Sequence, residues 1–198
     1  LGGRVMFTRR ILMGSVAAFA MALNTMPATA DPAEALATLQ ETVLSKGPNG
    51  ENPSPATDLS LNGAEIAKIK AMNATAAIVM HYGGNDWSRA QIEGLKFQFA
   101  EMGIEVIAIT DAGFKPEKQV ADIETVMARR PDIIVSVPTD PAATAAAYKA
   151  AADAGVKIVF MENTPPGMTV GKDYVSVVSA DNYGNGVAAA HLMAKALG

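Results

Sequence analysis

Apolar and polar positions alternate in blocks along residues 74–198, and these blocks predict five strands separated by helices. Each predicted strand is a short, largely apolar run, which is typical of strands buried on both faces of a parallel sheet. The five runs are Ala76–Met80, Ile104–Thr110, Ile133–Val137, Val156–Met161 and Tyr174–Val178. Because helical periodicity fills the intervals and the connections are short, we predict an α/β fold. Its doubly wound parallel sheet has the expected strand order 2-1-3-4-5.

Capping residues mark where the helices between these strands should begin. Ser88 and Gln91 form a predicted capping box for a helix that runs to Met102. The other helix starts are marked by Pro116, by Asp140 with Pro141, and by the Ser179–Asn182 segment.

The first 30 residues have the composition of an export signal. Arg9 and Arg10 precede an apolar core, Ile11–Leu23, which is too short to span a membrane. Ala28–Ala30 matches an A-x-A cleavage site, so the mature protein is expected to begin at Asp31. An uncleaved anchor is the alternative interpretation. The paired arginines leave the choice between general and twin-arginine export open.

Residues 31–73 are predicted to be an extension that precedes the sheet. A helix is expected over Ala33–Ser45, followed by an irregular connector over Lys46–Asp58. Asn62 and Glu65 then form a capping box for a short helix. The predicted organisation is therefore a signal segment (1–30), a helical extension and linker (31–73) and a ligand-binding lobe (74–198).

Composition excludes several classes of function. The net charge is −4, with acidic and basic residues interspersed. The sequence has no basic patch, which argues against nucleic-acid binding. The absence of cysteine excludes disulfides and thiolate zinc sites. Two histidines and scattered acids lack the spacing of a metal site, and the phosphate-binding and nucleophile-elbow motifs are missing. We therefore expect a protein that is not an enzyme, with no catalytic residues, metal or cofactor.

Polar and aromatic side chains follow the predicted strands at their carboxyl ends, the edge where open α/β sheets bind ligands. Carboxylates and amides bind hydroxyl groups, and an indole can support the apolar face of a sugar ring. This combination favours a polyhydroxylated ligand, and the lack of a strong cation disfavours an anionic one. The candidate ligand-binding residues are His81, Tyr82, Asn85, Trp87, Ser88, Asp111, Glu162 and Asn163.

Several of these polar residues also have purely structural explanations. Asp86, Ser88, Asp140 and Asp181 each stand where a helix cap is expected, and for Asp140 the cap is the favoured interpretation. A single tryptophan or histidine is more often a packing residue than a ligand contact. Glu162 ends a buried strand without an evident capping role, so it is the carboxylate that we most expect to touch a ligand.

From Ala76 onwards, the chain resembles the N-terminal lobe of type I periplasmic sugar-binding proteins of the ribose-binding kind. These proteins are the solute receptors of ABC importers. The resemblance implies one Rossmann-like lobe of a two-lobe protein that closes on its ligand at a hinge. It also implies that the given chain is a truncated piece that lacks the second lobe. The motifs on which the resemblance rests are Asn85–Ser88, Val137–Asp140, Glu162–Asn163 and Ser179–Asn182.

The resemblance also implies roles for particular residues. Asn85 and Trp87 match positions that contact the sugar, whereas Ser88 stands where a second aromatic residue is common. Glu162–Asn163 replaces the usual Asp-Arg pair, which leaves the preferred ring form of the sugar open.

The expected function is that of a monomeric periplasmic receptor for a sugar or sugar alcohol. Such a receptor delivers its ligand to an inner-membrane ABC permease, and handing the ligand-bound protein to a chemoreceptor is compatible with the same role. Two alternatives stay open on the sequence. One is the effector-binding domain of a sugar-responsive transcriptional regulator, and the other is an exported enzyme on a flavodoxin-like sheet.

Overall fold

The computed structural model describes residues 31–197, which contain five strands and six α-helices. The strands are β1 (Thr75–Met80), β2 (Glu105–Asp111), β3 (Ile133–Ser136), β4 (Lys157–Met161) and β5 (Ser176–Val178). The helices are α1 (Pro32–Gln40), α2 (Gly63–Ala71), α3 (Asp86–Glu101), α4 (Pro116–Ala128), α5 (Pro141–Asp153) and α6 (Asn182–Leu197). Within residues 31–197, no helix has the length and apolar character needed to cross a bilayer. The predicted export signal lies outside the described residues.

The five strands form one parallel sheet in the order β2-β1-β3-β4-β5, which confirms the predicted fold class and strand order. In the register of the sheet, Met80 lies opposite Asp111 and Met161 lies opposite Val178. The carboxyl ends of neighbouring strands are therefore level. As a result, the loops that follow β1, β2, β4 and β5 share one edge of the sheet.

Two apolar layers cover the two faces of the sheet, and β1 contributes to both. Ala77 and Val79 face a layer that includes side chains of α4 and α5, whereas Ile78 and Met80 face a layer that includes Phe99 of α3. The alternation follows from the two-residue period of a strand. Because both faces of β1 are completely buried, the loop after β1 starts from a rigid position.

Two buried polar side chains tie these layers to the strand ends. The Ser136 hydroxyl donates to the Val79 carbonyl at 2.7 Å and is also hydrogen-bonded to the Tyr148 hydroxyl. The Gln119 amide of α4, fully buried, donates to the Val137 carbonyl at 2.9 Å and accepts from the Thr139 amide at 2.6 Å. These bonds satisfy the backbone where β3 ends.

Two helix boundaries differ from the prediction. Helix α3 begins at Asp86 and is capped by Asn85, so the predicted Ser88–Gln91 capping box is wrong and Ser88 lies buried inside the first turn. Helix α1 ends at Gln40, five residues before the predicted end, and the chain then runs without regular structure past Pro48. We call residues 42–48 of this segment the strap.

Helix α6 packs mainly against α1 of the N-terminal extension rather than on the sheet. Gly184 is its buried residue, and the large apolar residues Leu192 and Met193 remain exposed. The extension is therefore folded onto the rest of the chain. It contacts α6 through α1, and Ile69 of α2 packs against the layer that includes Phe99.

Candidate ligand-binding site

The carboxyl edge of the sheet carries two groups of side chains. The aromatic cluster follows β1 and β2 and consists of His81, Tyr82, Trp87 and Phe114. The polar cluster follows β4 and β5 and consists of Glu162, Asn163, Ser179 and Asn182. Since only β3 separates β1 from β4, the origins of the two clusters are about 10 Å apart. That separation is on the scale of a small ligand.

The aromatic cluster is held together by ring contacts. The Tyr82 and Phe114 rings stack with centroids 4.6 Å apart and planes 20° from parallel. The His81 ring meets Phe114 at 5.1 Å and Trp87 at 5.9 Å, both edge to face. These arrangements are favourable for aromatic pairs. Trp87 and Phe114 nevertheless stay 45% and 57% exposed, so the cluster presents an open apolar surface.

His81 supplies a polar atom inside this aromatic surface. Its Nδ1 is buried and has no hydrogen-bond partner among the described residues. Burial lowers the pKa of His81 below its usual value, against the opposing attraction of the Asp111 carboxylate. The imidazole is therefore neutral at pH 7. An unpaired buried nitrogen is costly, and a ligand hydroxyl could remove that cost only after the ring or its neighbours move to expose Nδ1.

Phe114 is absent from the residues predicted from the sequence. Its backbone has φ +61°, a left-handed conformation that bulky residues rarely adopt. Strain of this kind is common at functional sites. The available signal was an aromatic residue in the short loop between an apolar run and Pro116, but its contact with Tyr82 joins the loops of two different strands.

The two glycines after Tyr82 allow the loop to pack closely. A Cβ on Gly84 would clash with the Tyr82 hydroxyl, and one on Gly83 would lie 3.1 Å from Oδ2 of Asp111. The Asp111 carboxylate is exposed, and its Oδ1 accepts from the Gly113 amide at 2.8 Å. Asp111 therefore lies beside the aromatic cluster and shapes its loops.

Asn85 and Ser88 have structural roles at the start of α3, unlike the other predicted site residues. Oδ1 of Asn85 accepts from the Ser88 amide at 2.7 Å, which caps α3. Ser88 is fully buried and its Oγ has no partner among residues 31–197. Ligand contact at both positions stays a prediction, and at Ser88 it would require the first turn of α3 to open.

The polar cluster is organised around Glu162. Its Oε2 accepts from the Ser179 hydroxyl at 3.0 Å and from Nδ2 of Asn182 at 2.7 Å. The residue itself has φ +67°, and its amide donates to the Val178 carbonyl at 2.9 Å. The carboxylate is thus held in a fixed orientation while the residue remains partly exposed.

Asn163 adds a second unpaired polar atom to the edge. Its Nδ2 is 3.4 Å from the Pro138 carbonyl, and its buried Oδ1 has no hydrogen-bond partner among the described residues. Because this oxygen is buried, the Asn163 side chain must rotate before Oδ1 can accept a hydrogen bond from a ligand.

The predicted capping alternatives are confirmed at Asp140 and Asp181. Oδ1 of Asp140 accepts from the amides of Ala142 and Ala143 at the start of α5. Asp181 accepts from the Gly184 amide at the start of α6, and it also binds the strap. Across residues 31–197, no group of acidic and histidine side chains is arranged to hold a metal ion.

Comparison with known proteins decides the family. Residues 76–198 match the family of the periplasmic binding protein domain. The chain belongs to this family. The resemblance noted in the sequence is thus confirmed for a periplasmic binding protein domain, and the family is one of solute-binding proteins rather than enzymes. No curated protein sequence matches the chain.

The solved structures that share this fold include proteins described as parts of sugar transporters. A sugar-binding protein of a Bacillus halodurans ABC transporter is 23% identical, with a TM-score of 0.55, and the match covers 63% of this chain and 41% of that one. An arabinose-binding protein from Geobacillus stearothermophilus is 25% identical, with the same TM-score and the same coverages. An ABC sugar transporter subunit from Rhodobacter sphaeroides is 22% identical, with a TM-score of 0.50 and coverages of 57% and 38%. This periplasmic binding protein domain therefore spans about two fifths of each of these relatives.

Proposed function

We propose that this periplasmic binding protein domain is part of a receptor that binds a sugar or sugar alcohol and delivers it to an ABC permease. The observation that carries the proposal is the pairing of open aromatic surface with an oriented, partly exposed carboxylate at one edge of the sheet. Trp87 and Phe114 are exposed there, and Oε2 of Glu162 is held by Ser179 and Asn182. The arabinose-binding relative from Geobacillus stearothermophilus supports a sugar as the ligand class.

The two clusters suit the two chemical faces of a sugar. The aromatic cluster offers flat surface to the C–H groups of the ring. In the polar cluster, the Glu162 carboxylate accepts hydrogen bonds from hydroxyl groups, and the Asn163 amide both donates and accepts. His81 then bonds a hydroxyl at the border between the two faces. Tyr82, Asn85 and Asp111 shape the loops around that border.

The location and partners of the receptor form the next part of the proposal. Residues 1–30 export the protein to the periplasm, where the mature chain begins at Asp31 and acts as a monomer. Residues 31–73 form an extension, and residues 74–198 form one of two lobes that close on the ligand. The partner is an inner-membrane permease, and a chemoreceptor is compatible with the same ligand-bound form.

Tryptophan fluorescence provides a direct test, because Trp87 is the single tryptophan of the given sequence. The mature protein is titrated with arabinose and then with a panel of pentoses, hexoses and alditols, and binding is measured in parallel by calorimetry. We expect a saturable fluorescence change that is lost in Trp87→Phe, with calorimetric binding retained but weaker. Absence of calorimetric binding to every member of the panel would overturn the sugar assignment.

A further inference from the structure

The strap lies across the β5 side of the carboxyl edge and is bonded to the start of α6. The amides of Leu44 and Ser45 donate to the Asp181 carboxylate at 2.9 and 2.8 Å. In return, Oγ of Ser45 accepts from the Tyr183 amide at 3.2 Å. Each segment therefore accepts hydrogen bonds from backbone amides of the other, although Leu44 and Asp181 are 137 residues apart in the chain.

A cleft separates the strap from the strand ends. Ser45–Pro48 line one side of it, and Glu162, Asn163, Ser179 and Asn182 line the other. The second side is the complete polar cluster. Asn163 therefore lines this cleft as well as belonging to the polar cluster.

We propose that the strap forms one wall of the ligand site and that Asp181 is the positioning residue that holds the strap in place. The proposal rests on the function proposed above, because it assigns part of the same site to the N-terminal extension. Lys46 of the strap lines the cleft, and its Nζ donates to Oδ1 of Asn52 at 2.6 Å.

Asp181 is suited to this role by its number of donors. The Ser45 hydroxyl and the amides of Leu44 and Gly184 together hold the pKa of the Asp181 carboxyl well below its usual range. An ionised carboxylate makes charge-assisted hydrogen bonds, which are the stronger kind. One carboxylate thus fastens the strap and caps α6 at once.

The test compares Asp181→Ala and the milder Ser45→Ala with the wild-type mature protein. Asn62→Ala is the matched control, because Asn62 also caps a helix, α2, and makes no bond to the strap. Two quantities are measured: the rate of trypsin cleavage after Lys46, followed by mass spectrometry, and the Kd for arabinose or the best ligand of the panel.

If Asp181 holds a strap that touches the ligand, Asp181→Ala should be cleaved about five- to tenfold faster after Lys46. Its Kd should rise by a similar factor, Ser45→Ala should show smaller changes in the same direction, and Asn62→Ala should match the wild type. Saturating ligand should also protect Lys46 in the wild type.

Three outcomes would overturn the proposal, and each has a different meaning. Unchanged cleavage in Asp181→Ala would show that Asp181 does not hold the strap. Faster cleavage with an unchanged Kd would show that the strap is not a wall of the site. Lack of any sugar binding by the wild type would overturn the proposed function itself, and the assignment of the strap to the ligand site would be overturned as well.

Discussion

The two halves of the carboxyl edge are prepared for a ligand in opposite ways. In the polar cluster, two donors already hold Oε2 of Glu162, so its direction is set before a ligand arrives. In the aromatic cluster, Trp87 and Phe114 are open and Nδ1 of His81 is unpaired. The difference indicates that the aromatic half gains most from ligand binding, whereas the polar half selects among ligands. Affinity and specificity should therefore respond to different substitutions.

The largest expected effect comes from removing both exposed rings of the aromatic cluster. Each stacked ring is worth roughly 0.5–1.5 kcal/mol, so the double variant Trp87→Ala/Phe114→Ala should bind about five- to 150-fold more weakly. Calorimetric titration with the best ligand of the panel measures the loss. Phe97→Ala is the control, because Phe97 is a more exposed ring (68%) that lies on α3 outside the cluster. An equal loss in both variants would contradict a specific role for the cluster.

We expect Glu162→Gln to cause a smaller loss of affinity and to change the preference among sugars. The amide keeps the shape of the side chain but weakens the bonds to ligand hydroxyls, which should cost roughly tenfold in Kd. Sugars that differ only in the orientation of one hydroxyl should be affected unequally. Titration of the variant with a set of epimers checks this. A uniform loss across the set would assign Glu162 to general affinity and remove the distinction between the two halves.

The smallest expected effect is the pH dependence of binding through His81. Because burial lowers its pKa, the imidazole is neutral at pH 7 and Nδ1 can accept from a hydroxyl. Binding should be constant from pH 8 down to about 6.5 and weaken a few-fold as the pH falls below the usual histidine value. Kd measured across pH 5–8 tests this, with His81→Gln expected to give a flat profile. Weaker binding towards high pH would contradict the assigned protonation state.

Short-range pattern was enough to predict the fold. The apolar run of β1 is buried on both faces as its composition indicates, and the strand order follows from right-handed crossovers between short connections. The same expectation of burial is wrong for β2, which lies at the edge of the sheet and leaves Ile109 46% exposed. The early end of α1 could not be predicted from the sequence pattern. The apolar spacing continues through Val43 and Leu44, but the Leu44 amide bonds to Asp181 at the other end of the chain.

The site was predicted only in part for the same physical reason. The residues directly after β1 and β4 could be found because parallel strands bring their carboxyl ends to one edge. The start of α3 was misplaced because Asn85 and Ser88 are three positions apart, and each is a good cap when judged alone. Phe114 was missed because its partners, Tyr82 and His81, come from a different strand.

The buried amide of Gln119 has a consequence for engineering this domain as a biosensor scaffold. By bonding to the Val137 carbonyl and the Thr139 amide, it fastens the turn after β3 to α4 from beneath. The centre of the binding edge therefore has a fixed floor that does not depend on the loops on either side. A library that randomises Tyr82–Trp87 and Phe114 while keeping Gln119 would change recognition without changing that floor.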